Sequence, residues 1–348
     1  RTKIKSEAQF EKVKKQVEKH GLDGIIIIGG DDSNTNAALL AEVLSSKNCA
    51  VVGVPKTIDG DLQYLPHLPI TFGFHTATQH YARLVQQLAI DAVGTTKYWH
   101  IIKLMGRSAS HVTLEVAHQV MPNACILAEE INQLGWSLMD VIDYFTGVIL
   151  DRLSKNKPYG IIIFPEGIAD VIPELDHYSR GNAAPLNKLL EAVGIEPIQL
   201  DDVYEDDHGN KNLSMLNSEK IIMSLVEANL QKHDQARREI KMMPHFFGYT
   251  GRAEDPTPFD SAYALLLGKT AYELSLSNVS GVIVGCDFST IDPSPVGVPL
   301  QALVNYDEDR SRYVIKKHLV SDAAIDYKTY QLKKSDWVHH DVNIPRPE

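Results

Sequence analysis

Gly24-Ile25-Ile26-Ile27-Ile28-Gly29-Gly30-Asp31-Asp32-Ser33-Asn34-Thr35-Asn36 decides how this chain is built. Four consecutive isoleucines set between glycines form a short, continuous β-branched run, the pattern of a strand covered on both faces. Upstream, Phe10, Val13 and Val17 recur at helical spacing among lysines and glutamates, so residues 6–20 read as an amphipathic helix that Gly21 ends. Downstream, Ala37, Leu40, Ala41 and Leu44 mark one face of a second helix, and Ala50 to Val54 is another buried strand. Strand, helix and strand in succession make a βαβ unit.

The alternation continues. Residues 75–92, 110–121, 137–154, 181–193, 217–233 and 260–276 read as helices. Trp99 to Leu104, Ala124 to Ala128, Tyr159 to Phe164 and Gly281 to Gly285 read as strands. Strands interleaved with helices predict an α/β protein with parallel sheets covered on both faces. We read two Rossmann-like parallel-sheet domains. One holds residues 1–93 and takes the chain back at 256–304. The other spans 94–255 with a helical insertion at about 168–242, and residues 305–348 form a C-terminal extension. The acidic runs Asp201-Asp202 and Glu205-Asp206-Asp207 read as a surface excursion on that insertion.

Bulk properties exclude several classes. The net charge of −11 supplies no basic field for nucleic acid or an anionic membrane. No apolar run reaches bilayer-spanning length. Cys49, Cys125 and Cys286 fit no zinc or redox spacing and read as buried thiols of a reducing cytoplasm. Ser33 and Ser108 lack triad partners, His339-His340 reads as an exposed polar pair, and Gly29-Gly30 lacks the dinucleotide-binding glycine order.

In open α/β sheets ligands sit beyond the carboxyl ends of the strands. After Ile28, Gly29 and Gly30 allow a tight turn, the following helix aims its N-terminal N–H groups at the same spot, and Asp31 and Asp32 add oxygen ligands of the sort magnesium takes. Asp, Ser and Asn are also ordinary helix-capping residues. After Val54 comes Pro55-Lys56-Thr57-Ile58-Asp59-Gly60-Asp61. Phosphoryl transfer asks for this set: a carboxylate to take a proton, others for a metal, a cation against phosphate charge. Asp-Gly is a common turn pair too, but two such loops on successive strands argue against coincidence. Met105-Gly106-Arg107-Ser108, Pro165-Glu166-Gly167 and Phe247-Gly248-Tyr249-Thr250-Gly251-Arg252 are weak signals singly. The arginines among them suit bidentate phosphate contact.

Taken in order, these segments resemble the phosphofructokinase family over about residues 1–300. Lys97-Tyr98-Trp99-His100 leading into Met105-Gly106-Arg107-Ser108 resembles its pyrophosphate-using branch in particular. The resemblance implies a cytoplasmic, glycolytic, magnesium-dependent phosphotransferase, with no nucleic-acid or membrane partner. It would move a phosphoryl group reversibly from pyrophosphate to the 1-hydroxyl of fructose 6-phosphate, giving fructose 1,6-bisphosphate and phosphate. By the same resemblance Asp59 is the general base, flanked by Thr57 and Asp61, and Asp31 binds Mg2+. Gly30, Asp32 and Lys56 meet the donor. Thr57, Asp59, Met105, Gly106, Arg107, Glu166, Tyr249 and Arg252 meet the sugar phosphate. A homo-oligomer, for instance a dimer, is expected.

ATP-using members of the family carry glycine where this chain has Asp32 and lack a lysine at the position of Lys56, so one side chain excludes a nucleotide and the other attracts pyrophosphate. Two departures accompany the resemblance. The family's first strand and its glycine-rich loop would precede Arg1, so the sheet is expected to lack that strand. His75 stands where an acidic residue is expected at the start of its helix, and reads as a neutral change of cap. The competing readings are an ATP-dependent sugar kinase, a non-catalytic regulatory subunit and an inactive fragment. Retention of Asp31, Asp59 and Asp61 speaks against the regulatory subunit.

Overall fold

The computed structural model describes residues 4, 6–199, 213–233, 240–289, 292–308 and 312–335. The acidic runs at 201–207 and the His339-His340 pair lie outside them. Along the chain run α1 (Glu7–His20), β1 (Gly24–Gly29), α2 (Asp31–Leu44), β2 (Ala50–Thr57), β3 (Phe72–Gly73), α3 (Phe74–Thr95), β4 (Trp99–Leu104), α4 (His111–Val120), β5 (Ala124–Cys125), α5 (Ala128–Leu134) and α6 (Leu138–Ser154). Then follow β6 (Gly160–Pro165), α7 (Ile168–Val171), α8 (Pro173–Ser179), α9 (Ala184–Ala192), α10 (Ser218–Leu230), β7 (Met242–Phe247), α11 (Pro258–Leu276), β8 (Val282–Asp287), β9 (Ser294–Pro299), β10 (Val304–Asp307), β11 (Arg312–Ile315) and α12 (Asp322–Ser335).

The chain forms two compact units, 1–76 with 255–318, and 77–254 with 319–348. From sequence the first boundary is expected at 93. Here it falls in the first turn of α3, because Tyr81 on that helix is fully buried and donates its hydroxyl to the Gly248 carbonyl at 2.6 Å. Nor is 305–348 a single extension. Its first part, with buried Ile315, joins the first unit, and α12 joins the second.

In the first unit the strand order is β1-β2-β8-β9, with β3 pairing to the end of β2. β1, β2 and β8 are parallel, but β9 runs antiparallel to β8, so the sheet is not wholly parallel as expected. Alternate residues face opposite sides of a strand. Val51 and Ile283 accordingly pack with Leu40 and Leu44 of α2, while Val52, Val54 and Val284 pack with Tyr263, Leu267 and Ala271 of α11. β1 lies at the edge of this sheet, and Ile26 and Ile28 are exposed on it at 40% and 62%.

In the second unit the order is β5-β6-β4-β7, all parallel. β4 pairs along its whole length with both neighbours and is buried at every residue. Its Trp99 and Ile101 join Phe145, Ile149 and Phe164 in a core shared with α5 to α10. The strand expected over 124–128 stops at Cys125, because α5 starts at Ala128 and the Glu130 carboxylate accepts from the Leu127 N–H at 2.9 Å. The helix expected over 181–193 is α9 alone, since Gly181 turns the chain at φ +85° after α8.

Candidate active site

Asp31 and Asp32 open α2, where a helix N-terminus stabilises negative charge. The turn before them is held by Asn34. Its amide nitrogen donates to the carbonyls of Gly29 at 2.7 Å and Gly30 at 2.9 Å, and the side chain lies against Gly53 of β2, where any Cβ would collide with it. This contact locks the loop after β1 to the neighbouring strand.

β2 ends in Lys56 and Thr57. Lys56 is exposed, and Thr57 Oγ1 accepts from the Asp59 N–H at 3.2 Å. Gly60 adopts φ +73°, which favours glycine and turns the chain so that Asp61 is buried. Asp61 and Asp31 converge on one cation: Lys317 Nζ is 3.4 Å from Asp61 Oδ2 and 3.5 Å from Asp31 Oδ2. Burial pushes the Asp61 carboxyl up to about 6; Lys317 opposes that shift, and the charges of Asp59 and Asp31 add to it. Three aspartates from two neighbouring strand ends therefore act on one another electrostatically.

Their oxygens are hard donors, and Asp31 and Asp61 already share one cation. Magnesium needs no more from a protein, since it uses one or two carboxylates and leaves its other positions to water and phosphate. Among the described residues no group of three or more His, Cys, Asp or Glu side chains is set to hold a metal unaided.

In the second unit, the other predicted segments follow the adjacent strands β6, β4 and β7. Gly106 takes φ +133° and its N–H donates to Glu166 Oε1 at 3.4 Å. The Gly167 N–H donates back to the Gly106 carbonyl at 3.1 Å. A Cβ on Gly167 would lie 2.4 Å from the Arg107 carbonyl oxygen, so the two loops touch backbone to backbone. Glu166 is buried and its Oε2 accepts from Ser214 Oγ at 2.8 Å. Met105 is buried and Arg107 half-buried. Beyond β7, Tyr249 and Arg252 are exposed, with the guanidinium 5.4 Å from the tyrosine ring centroid. Gly251 has no room for a side chain because Tyr81 lies against it.

The structure adds Lys317, Ser214 and Asn34 to the residues expected from sequence, where only the basic triplet Lys316-Lys317-His318 marks Lys317 locally. His75 likewise has a fuller account than a change of cap. Asp260, at the start of α11, supplies the acid at the start of α3, accepting from the N–H groups of Gly73 at 3.0 Å and Thr76 at 2.7 Å and from Thr76 Oγ1 at 2.5 Å. His75 Nδ1 pairs with Thr257 Oγ1 at 2.9 Å.

The sequence model described as Phosphofructokinase matches residues 1–275. The chain is 37% identical to the pyrophosphate–fructose 6-phosphate 1-phosphotransferase subunit beta 1 of Arabidopsis thaliana, over 97% of its own length and 64% of that protein's. It is 34% identical to the pyrophosphate–fructose 6-phosphate 1-phosphotransferase of Entamoeba histolytica, over 97% of its own length and 68% of that protein's. Among solved structures, a pyrophosphate-dependent phosphofructokinase from Marinobacter aquaeolei aligns with a TM-score of 0.59, covering 94% of this chain and 72% of that one. At 15% identity that likeness is one of fold. Family model and relatives agree with the order of loops along the sheets: the chain belongs to the phosphofructokinase family.

Proposed function

We propose that this chain transfers a phosphoryl group from pyrophosphate to the 1-hydroxyl of fructose 6-phosphate, reversibly, releasing phosphate. The observation that carries the reading is the meeting of Asp31 and Asp61 at one cation, with Asp59 acting on Asp61 from the same loop. The names of the relatives support the donor and the sugar.

In this reading Asp59 takes the proton of the 1-hydroxyl while that oxygen bonds to phosphorus and the bridging P–O bond of pyrophosphate breaks. Such general-base help is worth roughly 10²–10⁴-fold. Thr57 holds the Asp59 loop through the Asp59 N–H, and Asp61 keeps negative charge beside it. Asp31 and Asp61 would hold Mg2+, which supplies electrostatic stabilisation of the transferring group. Gly30, Asp32 and Lys56 would meet the donor, with Asp32 disfavouring a nucleotide. Met105, Gly106, Arg107, Glu166, Tyr249 and Arg252 would take the sugar phosphate. Arg107 and Arg252 bring its countercharge, and Glu166 fixes the Gly106 turn.

The chain spans 64% of the length of the Arabidopsis beta subunit. Among the described residues no helix is long and apolar enough to cross a membrane. We place the activity in the cytoplasm, in glycolysis, and in a homo-oligomer such as a dimer. The test is a coupled assay of the purified chain with fructose 6-phosphate, comparing pyrophosphate with ATP, with and without Mg2+, alongside Asp59→Asn. Turnover should require pyrophosphate and Mg2+ and fall at least about a hundredfold in the variant. Transfer from ATP alone, or an unaffected Asp59→Asn, would refute the reading.

A further inference from the structure

Lys317 is 286 positions from Asp31 in sequence numbering and 256 from Asp61, yet its ammonium lies within 3.5 Å of both carboxylates. Its placement is built by the backbone around it. The Ile315 N–H donates to Thr35 Oγ1 at 3.1 Å, one helical turn beyond Asp31 on α2. The Lys316 N–H donates to the Leu303 carbonyl at 2.8 Å, and the His318 N–H donates to the carbonyl of Asp61 itself at 2.8 Å. The segment leaving β11 is thus tied to each of the two elements that carry the carboxylates, and the residue between those ties points a charge at both. The Lys317 side chain stays 30% accessible, so it has an open side to turn toward, whereas Asp61 is 4% accessible and has none.

We propose that Lys317 is a positioning residue that holds the Asp31–Asp61 pair together in the metal-free protein and competes with the divalent cation for it. This rests on Asp31 and Asp61 being the carboxylates that face the metal. Two like charges directed at one point repel, and a buried Asp61 cannot relieve this by turning into water, so the ionised pair is held together by a cation. Lys317 is that cation until a divalent ion arrives. Its ammonium then leaves the carboxylates by its accessible side, where it stands beside whatever phosphate completes the metal's shell. The segment that carries it would keep the pair preorganised for rapid metal exchange.

Two measurements test this, and neither needs turnover. The first is Mn2+ affinity, by electron paramagnetic resonance or calorimetry without any phosphate, in the wild type, Lys317→Met and Lys317→Arg. Removing a competing charge at this distance should tighten Mn2+ binding about fivefold or more in Lys317→Met, even at the weak coupling of an aqueous setting, while Lys317→Arg stays near wild type. The second uses the unaltered protein. Mg2+ should raise the acylation of Lys317 by an amine reagent at least about twofold, read by peptide mass spectrometry, with Lys333 on α12 as internal reference, since displacement of the ammonium is what frees it to react. Mn2+ affinity that is unchanged or weaker in a folded Lys317→Met, or Lys317 reactivity that Mg2+ leaves unchanged or lowers, would overturn the proposal. Loss of phosphoryl transfer with both results intact would instead count against the proposed function.

Discussion

Replacing Lys328 by Met should cost the second unit about 3–5 kcal/mol. Lys328 of α12 is 2% exposed and its ammonium meets the carboxylate of Glu130, itself 8% exposed, and the Cys125 carbonyl at 3.1 Å. The magnitude comes from what is left behind. A methionine fills the space of the stem, but Glu130 is then left a buried charge without its partner, and removing one partner of such a buried pair costs that much. The assay is a double-mutant cycle in urea followed by circular dichroism, with Lys328→Met, Glu130→Gln and both together. The double variant should recover at least about 2 kcal/mol of the summed losses, since the amide oxygen of glutamine can still serve Leu127. Thiol labelling adds a local reading. The Cys125 thiol, fully buried and pushed up to about 12, should label faster in Lys328→Met than in the double variant. A Lys328→Met loss below about 1 kcal/mol with no coupling to Glu130→Gln would refute the reasoning.

Asp32→Gly with Lys56→Gly should lower kcat/KM for pyrophosphate at least about tenfold and admit measurable transfer from ATP; full retention of pyrophosphate use, in the donor assay, would count against both residues as selectors. His100 on β4 is 2% exposed, its Nδ1 lies 2.9 Å from His245 Nε2, and its Nε2 has no hydrogen-bond partner among the described residues; burial first and His245 second push it from 6.5 down to about 4. Because the unfolded chain binds that proton more readily, this contribution is complete above pH 6.5 and is lost as the pH falls toward 4. The loss is about 2–3 kcal/mol, visible as a falling urea midpoint that His100→Phe should flatten. Asp260→Ala should destabilise the first unit by about 2 kcal/mol through the three donors it strands at the start of α3, and Asp260→Asn should restore part of this, both measured by thermal unfolding.

What could be read in advance follows from how local each signal is. β2, β4 and β6 are rich in isoleucine and valine, and burial on both faces leaves that mark in any short window; the isoleucine run of β1 carries the same mark, yet only one of its faces is covered, since Ile26 and Ile28 lie exposed at the sheet edge. β7 escaped notice because Met242-Met243-Pro244-His245-Phe246-Phe247 has no β-branched residue and carries a proline. It is tolerated because, among the described residues, β7 is an edge strand paired with β4. β9 escaped because Pro295, Gly297 and Pro299 interrupt its two valines, at the edge of the first unit's sheet. Asp31, Asp59, Asp61 and Glu166 were legible because each directly follows a strand, where topology alone directs ligands. Lys317, Ser214 and Asp260 act on partners far along the chain, at Asp31, Glu166 and Thr76. No periodicity or turn pattern records such a meeting, and only the folded chain brings the two ends together.

The return of the chain to the first unit after Glu254 also sets a timetable for synthesis. β2 needs β8 as its second neighbour, and β8 starts at Val282. At ribosomal speeds of roughly 5–20 residues per second, β2 waits some ten seconds or more with one hydrogen-bonding edge open while the whole sheet of the second unit is made. During that interval the β2 side of the nascent β1–β2 pair is an unsealed template for stray strands, which β8 closes in the finished sheet.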